Sequence, residues 1–332
     1  MEPVAGLDGV EDEWRALERA LPPDYGVGFD WLSAWARVYA PAALRLVRVG
    51  PPGEPLALGL IEERPGSRWE LAGAPVSGHR GLLAGDQTAA WAALDGWLRA
   101  HPGEWSLLLG QTVPPAARAL PGARAREVPL LAFDLPASPE AHLAARPPVH
   151  RKALKQKLRR AEREGAAVRE VAPERRAEAL RTFVELHRQR TRAKGERHPQ
   201  IDERLVELLL AVRGDLTLRA FELVAGERVL GVTVRLDLRD TAFFYNAGID
   251  PAAARLGPGV VLELASIRDA IERGLRRYDL GPGDYRYKRD LGGVVHPRYD
   301  FAAASPTVRG ALAGIRHEVR VRIRRARERR RR

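Results

Sequence analysis

All seven tryptophans of this 332-residue chain (Trp14, Trp31, Trp35, Trp69, Trp91, Trp97 and Trp105) fall before residue 106. Large aromatic side chains dominate whichever core they join, so this step predicts two separately built cores. At about 150 residues per domain, the length allows the same division. The Pro- and Ala-rich stretch 136–148 reads as the joint. It gives a first domain over 1–145, a second over 146–306 and a basic tail over 307–332. No run reaches the ~18 apolar residues of a membrane helix. The acidic opening, residues 1–12, lacks the apolar centre of a secretory signal, and a cytoplasmic protein is expected. Cysteine is absent, which excludes disulfides, thiolate catalysis and Cys-ligated metal sites.

The net charge of +12 sits in two places. Residues 316–332 hold ten Arg against Glu318 and Glu328, and residues 151–163 hold seven cations against Glu162. The rest of the chain is close to neutral. The charge therefore points to an anionic substrate or surface near two elements, not to DNA or RNA by itself.

Periodicity reads the first half as mixed α/β. Helices are expected over 29–39, where Trp31, Leu32, Trp35 and Val38 share a face, and over 88–100, capped by Asp86. Strands are expected near 44–49, 56–62, 69–72, 105–109 and 130–135. The second half opens with a basic helix over 150–164, then helices over 173–194 and 201–212. A three-strand meander follows over 216–223, 229–238 and 241–249. An apolar helix over 260–274 and a strand over 277–280 close it. No repeat is evident between the halves. Ile315, Val319 and Ile323 make the tail helical up to the run Arg329 to Arg332, with that face expected to pack on the first domain.

One unit carries chemistry. A strand ending at Ile249 leads through Gly257-Pro258-Gly259 into the start of a helix. Free N–H groups at such a start attract phosphate, although an ordinary helix turn has the same spelling. After the last strand and a Gly281-Pro282-Gly283 turn comes Asp284-Tyr285-Arg286-Tyr287-Lys288. Tyr245, Tyr285 and Tyr287 offer hydroxyl donors. Lys288 is one of only five lysines, and its functional reading stands against that of a solvated surface cation. His187 and Arg190, at i and i+3, face either an acceptor or solvent. Asp279 either orients Lys288 or Tyr287 or caps a turn. His79 and Arg80 either touch an acceptor or belong to a polar loop. The histidines lack metal-ligand spacing, and no metal is expected.

Five segments carry a resemblance: HRKALKQKLRRAEREG, FVELHRQRTRAKGE, FFYNAGIDP, LGPGVVLELASIRDAIERG and YDLGPGDYRYKRDLGG. In this order they resemble the GNAT acyltransferases, and more closely the acetyltransferase domain of the CelD/BcsL cellulose-biosynthesis-type group, which is related to the Fem-type peptidyltransferases. The resemblance covers about residues 148–293; FDWLSAW and GAPVSGHRGLL match more loosely. It implies an α/β (α+β) fold of two tandem GNAT-like domains, each a mainly antiparallel sheet flanked by helices. It also implies an N-acyltransferase that takes acetyl-CoA or another acyl-CoA as co-substrate. The strand residues Asn246, Ala247 and Gly248 would pair with the pantetheine arm, Gly257, Gly259 and Val260 would give N–H groups to the pyrophosphate, and Arg255 would add a charge. Tyr245, Tyr287 and Lys288 would act at the acyl group, and His187, Arg190, Asp279 and Tyr285 near the acceptor. The GNAT loop reads Gln/Arg-x-x-Gly-x-Gly/Ala; here Ala254 holds its first position and the arginine comes one residue late.

The implied acceptor is a small-molecule, glycan or peptide amine of envelope synthesis. The Arg-rich tail would touch anionic membrane at its inner face. Two other readings stay open: an aminoacyl-tRNA-dependent, Fem-like transferase, and a non-catalytic anion- or membrane-binding module.

Overall fold

A computed structural model describes residues 1–120, 122–196 and 198–329. The chain forms two compact units, Met1–Pro129 with Pro297–Arg332, and Leu130–His296.

The first unit begins with β1 (Glu2–Val4), α1 (Glu11–Ala20) and α2 (Phe29–Tyr39). A meander follows of β2 (Leu44–Val49), β3 (Ala57–Arg64) and β4 (Arg68–Leu71), with the short β5 (Leu83–Ala84) beside β3. Helix α3 (Gln87–Ala100) then crosses to β6 (Leu107–Val113), which runs parallel to β4, and β7 (Arg124–Asp134) comes next. Six of the seven indoles are fully buried, and Trp97 packs against the core that Trp69, Trp91 and Trp105 share with α3 and β6. Four of the N–H groups find acceptors: Trp14 donates to Val27 O at 3.0 Å, Trp31 to Ser77 Oγ at 2.5 Å, Trp91 to Gln87 Oε1 at 3.1 Å and Trp105 to Leu98 O at 3.1 Å, whereas Trp35 Nε1 is buried without an acceptor among the described residues.

The second unit holds α4 (Pro139–Ala144), the basic α5 (Pro148–Arg163), β8 (Ala166–Glu170), α6 (Arg176–Ala193) and α7 (Glu203–Ala211). The meander β9 (Leu216–Ala225), β10 (Arg228–Leu238) and β11 (Thr241–Ile249) comes next. Helix α8 (Pro258–Glu272) crosses to β12 (Arg277–Pro282), parallel to β11, and α9 (Arg286–Asp290) follows. Within this unit residues 130–134 of β7 pair with β12, and β8 pairs with β9.

The chain then returns to the first unit through β13 (Val294–Ala304) and α10 (Val308–Arg329). Residues 299–304 of β13 pair with β6. A repeat invisible in the sequence emerges. The order β1-α1-α2-β2-β3-β4-α3-β6-β7 recurs as β8-α6-α7-β9-β10-β11-α8-β12-β13. The last strand of each repeat completes the sheet of the other unit. The units therefore divide at 130 and 297, where composition had suggested 146 and 307. Of the elements that local periodicity passed over, β8 is a short edge strand and α9 a five-residue helix, whereas α1 has ten residues and β13 eleven.

Helix α10 lies against β6. Its packed face is glycine: a Cβ on Gly310 would stand 2.2 Å from Ser305 O. Arg309 donates to Gly103 O at 2.5 Å, and Glu318 pairs with Arg124. The expectation that Ile315, Val319 and Ile323 pack inward is corrected, because all three are exposed. Small residues allow the close approach of backbones, so that face, not the branched one, docks. Residues 330–332 of the expected terminal arginine run lie outside the described residues.

Candidate active site

Strand β11 is laddered to β10 along its length, but its ladder with β12 covers only Thr241, Ala242 and Phe243, although both strands continue. A register shift opposite Val234 and Arg235 makes Tyr245 the extra residue of a β-bulge. Beyond the bulge, the Asn246 side chain accepts from Ala247 N–H at 2.8 Å. Gly248 lies under α6, where a Cβ would stand 2.3 Å from Phe183 O and 3.0 Å from two further backbone atoms. Gly248→Ala therefore sets helix backbone against strand, and a loss of about 2 kcal/mol or more is expected in denaturant unfolding.

The start of α8 is built to leave room. Gly257 is left-handed at φ +65° and caps the helix without a side chain. A Cβ there would approach Lys157 Nζ of α5 to 3.0 Å. Of the three backbone donors expected to face a phosphate, two serve the turn itself. Gly257 N–H donates to Ala254 O at 3.1 Å and Val260 N–H to Gly257 O at 3.0 Å, which leaves Gly259 N–H. Cations make up the difference. A groove of about 570 Å³ beside this turn is lined by Gln156, Lys157, Arg160, Arg163 and Arg255, with one acid, Glu164, that pairs with Arg160. The matching helix of the first unit, α3, has Asp86 at its N-cap, accepting from Ala89 N–H at 3.0 Å. A carboxylate already fills the position an anion would take, so the second unit alone of these two helix starts suits phosphate.

The mouth of β12 gathers the ionisable groups. Lys288 is 3% exposed, and its Nζ donates to Pro282 O at 2.7 Å and Gly281 O at 3.1 Å. It is no surface lysine. Burial lowers it to about 8, against the pull of Asp279, Glu263 and Asp284. Asp279 accepts from Gly281 N–H at 2.7 Å, holding the turn that presents the two carbonyls. Tyr285 is exposed and stacks on Tyr287, with ring centroids 6.1 Å apart, and Lys288 Nζ lies 5.5 Å from the Tyr285 ring centroid. The half-buried Tyr287 hydroxyl is pushed up by burial, then by Glu263 and Tyr285, while Arg190 opposes.

Glu263, on α8, was missed by sequence reasoning. It is 1% exposed and accepts from Tyr278 Oη at 2.7 Å. Because the single phenolic proton goes to Glu263, Ser266 Oγ donates to Tyr278 Oη at 2.8 Å. Arg235 in turn donates to Ser266 O at 2.5 Å and meets Asp237 and Asp269. Burial raises Glu263 to about 7, against Tyr278, Lys288 and Arg235. The one available signal was a lone acid in the apolar run VVLELASI. Six residues separate it from Gly257, about 9 Å along the helix.

His187 is neither exposed nor aimed at solvent. Its Nδ1 lies 3.4 Å from Ala247 O and its Nε2 3.0 Å from His198 Nδ1. Burial, with Arg190 adding to it, lowers it to about 4, so the ring is neutral near pH 7 and ties α6 to β11. Arg190 is the member of the pair whose charge reaches Tyr287. In the first unit His79 and Arg80 are buried rather than forming an open polar loop. There, burial favours a neutral Asp24, but His79 at 3.3 Å, Arg298 and Gly26 N–H outweigh it and hold the carboxyl below its ordinary value. No cluster of potential metal ligands occurs among the described residues.

Residues 149–289 match a family model described as an acetyltransferase (GNAT) domain. No curated protein matches the chain. Among solved structures, FemX is 14% identical with a TM-score of 0.62, covering 92% of this chain and 97% of that one. The C-terminal domain (DUF2156) of a putative lysylphosphatidylglycerol synthetase from Agrobacterium fabrum is 13% identical, with a TM-score of 0.59 and coverage of 94% and 96%. A tandem GNAT protein from the clavulanic acid biosynthesis pathway is 15% identical, with a TM-score of 0.52 and coverage of 92% and 98%. At such identities the likeness is one of fold. The chain has a mixed α/β fold like that of the tandem GNAT protein, and the match to the acetyltransferase (GNAT) domain model falls within its second unit.

Proposed function

We propose that the second unit transfers an acyl group, acetyl in the simplest case, from acyl-CoA to an amine of an envelope glycan or peptide, at the cytoplasmic face of the membrane. The observation that carries this reading is the placement of two features on one helix. The side-chain-free, cation-flanked start of α8 stands about 9 Å along the helix from Glu263, and Glu263 shares a field with Lys288. A phosphate held at the first and a carbonyl held by Lys288, beside the second, describe a thioester co-substrate. The part of β11 without a β12 ladder offers backbone between them.

A bound acyl-CoA supplies a thioester whose carbonyl carbon an amine nitrogen attacks. The C–N bond forms, the C–S bond breaks, the nitrogen gives up a proton and the thiolate gains one. Lys288, held by two carbonyl acceptors, keeps a donor for the oxygen that gains charge. Tyr287, as a hydroxyl that burial keeps protonated, is the proton source for the leaving sulfur. Asp279 positions the Lys288 turn.

Thermal shift with acetyl-CoA, CoA and tRNA tests the reading. Stabilisation by both CoA forms is expected, and Lys157→Glu should weaken CoA binding about tenfold, the size of one lost charge-assisted contact. Stabilisation by tRNA alone would support the aminoacyl-tRNA-dependent alternative. That alternative rests on the cationic face of α5, where Arg151, Lys152, Lys155 and Arg159 line a second groove. No response to any CoA would remove the acyl-CoA reading.

A further inference from the structure

Exposed large apolar side chains are scattered singly over the described residues except on α10. There, Val308, Leu312, Ile315, Val319 and Ile323 all stand exposed, Val308 at 80% and the others at 48–59%. Their spacing of i, i+4, i+7, i+11 and i+15 places them in a sector about 80° wide and about 22 Å long. The opposite face is occupied, with Gly310 set against Ser305 and Gly314 against Ala304. The helix therefore docks with one side and presents an apolar ridge on the other. An exposed ridge this continuous has a partner.

Charge says which. Arg309, Arg316 and Arg320 border the ridge on one side and Arg322 on the other, all exposed. The acid of this stretch, Glu318, lies on the Arg322 side, about as far from the ridge as Arg320 on the other, and is half-buried in pairs with Arg124 and Arg322. Next to the ridge, a groove of about 930 Å³ carries Arg68, Arg124 and Arg126 opposite Arg316 and Arg320. These five arginines face three carboxylates, Glu70, Asp300 and Glu318. A straight, narrow apolar line with guanidinium groups on both borders fits a surface that is apolar below a layer of phosphates. Branched side chains enter the acyl boundary while the arginines stay at phosphate level.

We propose that the exposed face of α10 is a docking surface for an anionic lipid bilayer, with the ridge inserted and the bordering arginines on lipid phosphates. The proposal is independent of the acyl-transfer reading, since no α10 residue belongs to that site.

Co-sedimentation of the full chain with vesicles tests it. Binding to vesicles of about one third phosphatidylglycerol in phosphatidylcholine is expected at low salt, with little on pure phosphatidylcholine and a steep loss as salt rises. Ile315→Asp with Val319→Asp should cut partitioning about tenfold or more, and Arg316→Glu with Arg320→Glu should do likewise. All four positions are exposed, so the melting temperature should not move, and a folded variant that fails to bind is interpretable. Wild-type protein left in the supernatant with anionic vesicles at low salt overturns the proposal. So does an Ile315→Asp/Val319→Asp chain that sediments like wild type. Sedimentation velocity supplies a third arm: a wild-type dimer dissolved by the same pair, with no vesicle binding, assigns the ridge to a second copy of the chain and rejects the lipid surface.

Discussion

Lys288→Met is expected to lower kcat for acyl transfer about a hundredfold or more while leaving the chain folded, because it removes the donor aimed at the reacting oxygen and fills its channel with apolar atoms. The wild-type pH profile provides an internal check. The ammonium is the working form and titrates at about 8. With an arylamine acceptor already free of its proton, the rate should therefore hold at neutral pH and fall through pH 8. Stability should move in the opposite direction. Lys288 drops from an ordinary 10.5 to about 8 on folding, so between those values the unfolded chain binds one more proton than the folded one. Wild-type stability relative to Lys288→Met then rises with pH across that window. A methionine variant with full activity and an unchanged profile would take Lys288 out of the site.

Arg235→Met should be the most damaging substitution away from the reacting atoms. The guanidinium is 0% exposed, and its Nη2 donates to Asp237 Oδ2 at 2.9 Å and Asp269 Oδ2 at 2.6 Å. It also lies 5.2 Å over the Phe221 ring. Removing it leaves Asp237 with Arg219 alone and Asp269 with Arg273 alone, and releases the Ser266 carbonyl. A loss of about 3–5 kcal/mol is expected in urea unfolding. The damage should be smaller in Arg235→Met/Asp237→Asn, because part of it is a buried Asp237 charge left with Arg219 as its one partner, and a double variant no more stable than the single would contradict this account. Ser266 leads through Tyr278 to Glu263, so a partly folded Arg235 variant should also show a shifted pH profile.

Arg235 also shows where sequence reasoning stops. In VTVRLDL the alternation puts Val232, Val234 and Leu236 on one face and Thr233, Arg235 and Asp237 on the other, the pattern of a strand with a wet side. The strand was found, but its wet side is dry, because α6 and α8 both pack on β10. Glu263 hides for the same reason. The face of α8 formed by Val261, Leu264, Ile267 and Ile271 was legible, but the opposite face is buried too, down to Glu263 and Ser266. Period reveals one buried face; a second appears only when another layer is placed. Backbone signals travelled better. Gly257 and Gly259 stand at the helix start, and Asp279 and Lys288 meet at one turn, because each depends on neighbours a few residues away. His187 did not follow, since its partners lie on β11 and at His198.

The exchange of last strands between the two repeats has a consequence in time. A ribosome delivers β6, with its apolar LLLGQTV, long before residues 299–304 of β13 exist to cover its edge. The second unit, Leu130–His296, is made wholly within that interval, and residues 130–134, the piece of β7 that pairs with β12, are its first residues. The later repeat can therefore close first, and the tryptophan-rich unit that opens the chain is finished last. During that wait its exposed strand edge is the part of the nascent protein most open to pairing with a stranger.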